Sequence, residues 1–427
     1  ADEEERQVVS MKRIVILGSS AAGAKMIEEV RRNDTESEIT VVALDGHYPY
    51  NRDAFAAFIA KETSPANVFY RTKDFYEQHN VRMVFDQKIS RINFKRKKIF
   101  TEDKQEIDYD VLLVTDTPGN RYPDIKGTNK ENIYGYKKLK DIDQIVNALP
   151  VVRTVVIQSD SFSGLEAAMS FIKREKEVIL VSSENGFLNR HFEAEALQWL
   201  TGALEEKGLR VMPENAIAEI LGDKDAKAVR LQSGKVFSAE VILFMETDED
   251  LRLFSSSSIT TGRKIEVDPE FKASADDVFV VDQACSLCGP DPVTPLPVLE
   301  EQAKAVAAVI NGQESVFSIP VCSWSQKIEG IVITVLGCID EDGLTVNRIF
   351  DQESGTYRGL YLKDNALVGA LLVNKENEKG ALLGNIFNKT LFDFSTEEQG
   401  VDGNCAEEGC YAGEMSDENV STELIDS

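Results

Sequence analysis

The chain has 427 residues, 42% of them hydrophobic and 28% charged, with a formal net charge of −26. That length suits two or three domains, each able to bury its own core. The acid excess excludes a nucleic-acid binder: phosphate contacts need clustered Lys and Arg, and the one cluster, Lys95-Arg96-Lys97-Lys98, is short and reads as a solvated hairpin.

The N-terminal Ala1-Asp2-Glu3-Glu4-Glu5-Arg6 has neither a basic nor an apolar leader region, and no apolar run is long enough to cross a bilayer. The expectation is a cytoplasmic chain without a membrane span. Arg13 to Leu17 then reads as a short buried strand, rich in β-branched residues. It runs into Gly18-Ser19-Ser20-Ala21-Ala22-Gly23 and a helix from Ala21 to about Arg32. Such a turn brings backbone N–H groups and a helix N-terminus to a pyrophosphate, and Gly23 lets helix and strand approach closely. Ile39 to Leu44 is the next strand, and Asp45 follows Gly23 by 22 residues, the spacing that sets a carboxylate against an adenosine ribose.

Asp108 to Val114 is a later strand of the same domain. A second unit begins at Arg153 to Ile157, with its turn at Ser159 to Gly164, a helix from about Gly164 to Lys173 and a strand at Val178 to Val181. Val241 to Met245 and Val278 to Val281 read as buried strands that return to the first domain, and Val298 to Ile310 has helical spacing before Asn311-Gly312. From about Ile319 the pattern alternates, as in Ile331 to Leu336 and Thr356 to Leu362, and a helix near Gly380 to Asn388 closes a small α+β domain.

The expected fold class is therefore α/β, with two Rossmann-like dinucleotide-binding domains, the second inserted in the first, plus a small C-terminal α+β domain and an acidic tail. Residues 11–118 and 239–318 would form the split first domain, 119–238 the second, 319–395 the third and 396–427 the tail. The tail carries ten Asp or Glu and no Lys or Arg. It cannot bury enough apolar surface to fold alone, and is either a solvated end or a segment that docks on a basic partner.

Two nucleotide units in one chain suggest a flavoprotein with a nicotinamide domain. The stretch His47-Tyr48-Pro49-Tyr50-Asn51-Arg52, then Phe69 to Val81, Gly164-Leu165-Glu166-Ala167-Ala168, Pro297 to Ala303 and Leu367-Val368-Gly369-Ala370 resembles the pyridine nucleotide-disulfide oxidoreductase superfamily. The nearest branch resembles NADH-rubredoxin reductases and the flavin module of assimilatory nitrite reductases, over roughly residues 11 to 390. The resemblance implies FAD in the first unit, on Gly18, Ser19, Ser20, Ala21, Ala22, Gly23, Asp45, Asn51, Arg52, Thr115, Asp282 and Gln302. Two departures alter those contacts. The family's Ala-Thr-Gly after the strand becomes Thr115-Asp116-Thr117, and its Gly-Asp pair becomes Asp282-Gln283.

The second unit is eroded. Ser159 and Ser161 stand for two glycines, Asp160 places a negative charge in the anion turn, and Val181-Ser182-Ser183 lacks a ribose-binding Glu, which reads against NAD(P)H. The family's redox cysteine is missing from Asn51 to Lys61. Cys285 with Cys288, and Cys405 with Cys410, are the alternative thiol pairs. Their joint use as a four-thiolate metal site does not fit the acidic setting, so no metal is expected. His47, His79 and His191 make no triad or metal spacing, and the catalytic residues are unassigned.

The resulting expectation is an FAD-dependent electron-transfer oxidoreductase, a subunit passing electrons to or from a redox protein partner, with an eroded NAD(P)H site. A non-catalytic scaffold or regulatory homologue without functional cofactor, and a thiol-redox protein, are the alternatives. The oligomer is left open between a homodimer and a hetero-oligomer.

Overall fold

The run Arg13–Leu17 (β1) is buried from Ile14 onward and lies between Glu38–Ala43 (β2) and Val111–Val114 (β4). With Val81–Phe85 (β3) beside β2 and Val278–Val280 (β10) beside β4, it makes a five-stranded parallel sheet in the order β10-β4-β1-β2-β3. Parallel strands covered on both faces need near-continuous apolar sequence, and β4 is apolar at every position. Ala21–Arg31 (α1) crosses from β1 to β2 and packs against Leu296–Ile310 (α4) on one face of the sheet.

These statements rest on a computed structural model that describes residues 11–392 apart from 86, 256–258, 288–292, 316 and 329. The acidic tail lies outside the described residues. None of the described helices is long and apolar enough to cross a membrane.

The second parallel sheet has the order β8-β7-β6-β9-β5. Its strands are Ile133–Gly135 (β5), Thr154–Gln158 (β6), Glu177–Val181 (β7), Leu209–Met212 (β8) and Val241–Phe244 (β9). Leu139–Ala148 (α2) follows β5, and Phe162–Ile172 (α3) joins β6 to β7. One expectation is corrected here. Strand β9 does not return to the first sheet; it pairs with β6 from Val155↔Val241 to Gln158↔Phe244. The chain re-enters the first sheet only at β10, after a two-stranded link in which Asp248–Glu249 pairs with Asn120–Arg121. An all-apolar strand of four residues tells a reader that it is buried, not which sheet it joins.

The third domain is a five-stranded antiparallel sheet, order β11-β12-β15-β14-β13. It is built from Ser323–Ile328 (β11), Ile331–Gly337 (β12), Thr345–Asp351 (β13), Thr356–Lys363 (β14) and Ala366–Val373 (β15), with Lys379–Phe387 (α5) against β12 and β15. His191, at the end of a short helix of the second unit, ties to it. Its ring nitrogens lie 2.8 Å from the Tyr361 hydroxyl and 2.9 Å from the Asp340 carboxylate.

Candidate functional site: two nucleotide turns

The first turn is held by its glycines. Gly18 has φ +122°, and a Cβ there would sit 2.5 Å from Thr115 Oγ1 and 2.8 Å from the Asp116 amide nitrogen. Ser20 caps α1, its hydroxyl accepting from the Ala22 amide at 3.2 Å. The next segment folds over the turn: the Ala21 amide donates to the Tyr50 carbonyl at 3.1 Å and the Tyr50 amide donates to Ser19 O at 3.0 Å. Donors of the kind that meet a pyrophosphate thus serve the chain's own backbone.

Asp45 stands past the tip of β2, as the spacing implied. Its Oδ2 accepts a 2.7 Å hydrogen bond from the Tyr50 hydroxyl, and its side chain is 6% exposed. Burial resists its ionisation, but hydrogen bonding to His47, the field of Lys138 and the Tyr50 hydroxyl outweigh that and bring its pKa to about 2. A carboxylate with a depressed pKa contributes stability that is present above its unfolded pKa and lost as pH falls through the folded value. Asp45→Asn is therefore expected to cost about 2 kcal/mol near neutral pH. Urea unfolding should show the penalty shrinking between about pH 4 and pH 2, and a penalty undiminished at the acid end would contradict the ion-dependent account.

Beyond Asp45 the cleft between the two parallel sheets is filled by six charged side chains. Arg52 Nη1 donates to Asp282 Oδ2 at 2.8 Å, its Nε donates to Lys137 O at 2.9 Å, and its Nη2 lies 3.5 Å from Asp116 Oδ2. Lys138 Nζ donates to Asp116 Oδ2 at 2.5 Å and to Thr117 O at 2.6 Å. Lys137 Nζ donates to Glu249 Oε1 at 2.5 Å, and the other Glu249 oxygen accepts from the Thr117 hydroxyl. Three cations and three anions, each 1–6% exposed, balance one another. Unbalanced charges buried this deeply would be prohibitively costly. Burial pushes the Asp116 carboxyl above its usual range despite Lys138 and Arg52, while Arg52 is held charged, the fields of Asp282 and Asp116 overcoming the opposing effect of burial.

The remaining predicted site residues are placed as follows. Gln302 Oε1, on α4, accepts from the Asp282 amide at 3.0 Å, and Asp282 has φ +56°. The Thr115 hydroxyl donates to Leu17 O at 3.2 Å. Asn51 caps a short helix, accepting from the Asp53 amide at 3.1 Å. Lys137, Lys138 and Glu249 carry no motif in the sequence, and Tyr50 stands only within the stretch His47 to Arg52. For Lys137 and Lys138 the one signal is position, since they follow β5 and parallel strands place ligand-facing residues just past their C-terminal ends.

The residue types of the first unit are those of a flavin-dinucleotide seat, although the Ala21 amide, Asp45 and Arg52 are engaged by the chain's own groups. The unit offers a helix N-terminus, a ribose carboxylate and two buried atoms without a hydrogen-bond partner, Arg52 Nη2 and Asp282 Oδ1. The chain's own groups lie close over these residues: Ser19, Ser20, Asp116 and Asp282 are 1–3% exposed, Tyr50 is bonded to Asp45 and Lys138 to Asp116. Surface depressions of about 450 Å³, lined by Lys97 and Lys272 to Asp277, and about 160 Å³, lined by Glu193, Glu195 and Arg348, lie away from both turns.

The second turn has a different occupant. Glu246, two residues past β9, accepts from Ser159 Oγ at 2.8 Å and from the amides of Ser161 and Asp160, both at 3.1 Å. The Asp160 carboxylate turns away and accepts from the Ser183 amide and hydroxyl, each at 2.7 Å, just past the tip of β7. Of the four cysteines in the thiol reading, only Cys285 is among the described residues, and it is fully buried. Among the described residues there is no group of three or more His, Cys, Asp or Glu arranged to hold a metal ion.

Two parallel-sheet units of the dinucleotide-binding type, joined to an antiparallel third domain, define the architecture. The chain belongs to the pyridine nucleotide-disulphide oxidoreductase family, whose profile matches residues 12–294. It is 26% identical over 384 residues to the assimilatory nitrate reductase electron transfer subunit of Bacillus subtilis (strain 168), covering 88% of this chain and 49% of that protein. It is 24% identical over 379 residues to nitrite reductase [NAD(P)H] of the same organism, covering 88% of this chain and 47% of that one. The chain thus spans about half the length of these two curated relatives. A covalent putidaredoxin reductase–putidaredoxin complex superposes with TM-score 0.76 at 18% identity, covering 88% of this chain and 93% of that one, which bears on the fold alone. The names of these similar proteins are those of an electron transfer subunit, of a nitrite reductase and of a reductase joined to putidaredoxin. The resemblance and the α/β fold class expected from the residues are borne out.

Proposed function

We propose that the chain is an electron-transfer subunit of the FAD-dependent class, exchanging electrons with a redox protein partner and not with NAD(P)H through its own second unit. One observation carries this reading: the contrast between the two turns. The first keeps Gly18 and Gly23, its ribose carboxylate and two buried polar atoms without a hydrogen bond, and its helix-start amide meets only a backbone carbonyl; the second has two amides and a hydroxyl held by a fixed carboxylate. FAD, when bound, would supply the interchange of one- and two-electron steps. The chain's own residues would orient it: the turn amides and the start of α1 at the phosphates, Asp45 at the ribose, Asp282 and Arg52 toward the ribityl chain. The acid-rich tail is suited to a basic partner surface, and a cytoplasmic setting accords with reduced thiols.

The closed first cleft favours a second reading, a homologue that keeps the fold as a scaffold without cofactor. Visible absorbance separates the two. Chain refolded or expressed with ample FAD and then desalted is expected to keep oxidised-flavin bands at near one flavin per chain. Complete loss of the bands on desalting would leave the scaffold reading standing.

A further inference from the structure

The register between β6 and β9 decides what faces the second turn. Gln158 pairs with Phe244, and the Met245 amide donates to Gln158 O at 3.1 Å, so the next residue, Glu246, stands directly across from Ser159 to Ser161. There the carboxylate makes three contacts with two oxygens, on the Ser159 hydroxyl and the Asp160 and Ser161 amides. Ser161 is the N-cap of α3 and gives it no side-chain cap, so Glu246 is the anion at that helix start. Two backbone amides and a hydroxyl converging on paired oxygens ahead of an 11-residue helix are the arrangement by which a dinucleotide fold holds a phosphate.

The glycine pattern agrees. A Cβ at Gly164 would fall 2.1 Å from Ser159 Oγ, and one at Gly186 would fall 1.8 Å from Ser182 Oγ. Ser159, which stands for one of the turn's glycines, is therefore packed against Gly164, and Ser182 past β7 against Gly186, while Asp160 occupies the tip of β7, where a ribose would lie.

We propose that Glu246 is a built-in occupant of the second unit's phosphate seat, an internal carboxylate that excludes NAD(P)H and other pyrophosphate-bearing ligands while keeping the start of α3 capped. The proposal deepens the electron-transfer reading above and rests on it for its meaning, namely that electrons enter elsewhere. Its test reads ligand binding alone, whatever the state of the flavin.

Binding of NADH and of inorganic pyrophosphate to the full chain is measured by calorimetry at fixed ionic strength, for wild type, Glu246→Ala and Glu246→Gln. Wild type is expected to show no saturable binding of either probe in the millimolar range. Glu246→Ala should gain affinity by roughly tenfold or more, the scale of removing one like charge from an anion site. Glu246→Gln should gain less, because its amide still fills the seat. Asp160 and Ser161 are not buried, so water can serve the freed amides and the alanine variant should fold; if it does not, the glutamine variant carries the test by the direction of its change. The proposal is overturned if wild type binds either probe as tightly as the variants do. It is equally overturned if folded variants bind neither probe. A chain that keeps no flavin after loading and desalting, but still gains NADH binding in Glu246→Ala, would sink the electron-transfer reading and leave this one intact.

Discussion

Replacing Arg52 with alanine is expected to destabilise the chain by about 3–5 kcal/mol, the usual cost of removing one partner from a buried ion cluster. The side chain is 5% exposed and serves three partners at once: Asp282, Asp116 and the Lys137 carbonyl. Without it, Asp116, Asp282 and Glu249 face only Lys137 and Lys138, and Asp282 loses its nearest cation. Lysine at this position would restore the charge but not the fork that spans two carboxylates and a carbonyl, so Arg52→Lys should fall between wild type and alanine. Urea midpoints for the three proteins measure this. A loss below about 1 kcal/mol for Arg52→Ala would show that the six charges are not a coupled cluster.

Gly18→Ala should be comparably damaging, by about 3 kcal/mol or more, because two costs combine: a non-glycine residue at φ +122° and overlap with its neighbours. Retreat is blocked on both sides. The Gly18 amide is tied to Val42 O at 3.0 Å, and the Thr115 amide to Leu17 O at 2.9 Å. Gly202 provides the control. It lies inside the helix Ala194–Glu206 with nothing within 4 Å of its added Cβ, so Gly202→Ala should stabilise by about 0.5–1 kcal/mol. Equal thermal shifts for the two variants would refute a special role for the first turn.

Local pattern made most of the fold legible. Strand β1, the glycine turn, α1 and β2 follow one another in the sequence, and each has its own signature in branched apolar residues, glycine spacing and helical period. The alternation of the third domain was readable for the same reason. Strand β9 belies its sequence reading because sheet membership is settled by pairing with β6, far earlier in the chain, and nothing within Val241–Phe244 encodes that choice. The site divides likewise. Gly18 and Asp45 are legible in the turn and its spacing, and Arg52 and Asp282 through the family resemblance. Lys137, Lys138 and Glu249 could not, because their role exists only where the ends of two sheets meet. Loss of the second turn's glycines was plain at Ser159 and Ser161. Its replacement by Glu246 was hidden some 85 residues onward, where the one clue is a carboxylate just past a buried parallel strand.

The closed first cleft also changes what uptake of FAD entails. Breaking the contacts of Tyr50 with Asp45 and of Lys138 with Asp116 sets a conformational cost against binding, which lowers apparent affinity by the fraction of molecules that are open.

The most direct measurement is anaerobic stopped-flow absorbance of the FAD-loaded chain, mixed first with NADH and separately with a reduced small iron–sulfur or rubredoxin-type protein. The account predicts that NADH leaves the flavin oxidised through the record while the reduced protein bleaches it. Rapid bleaching by NADH in the wild-type chain would contradict it.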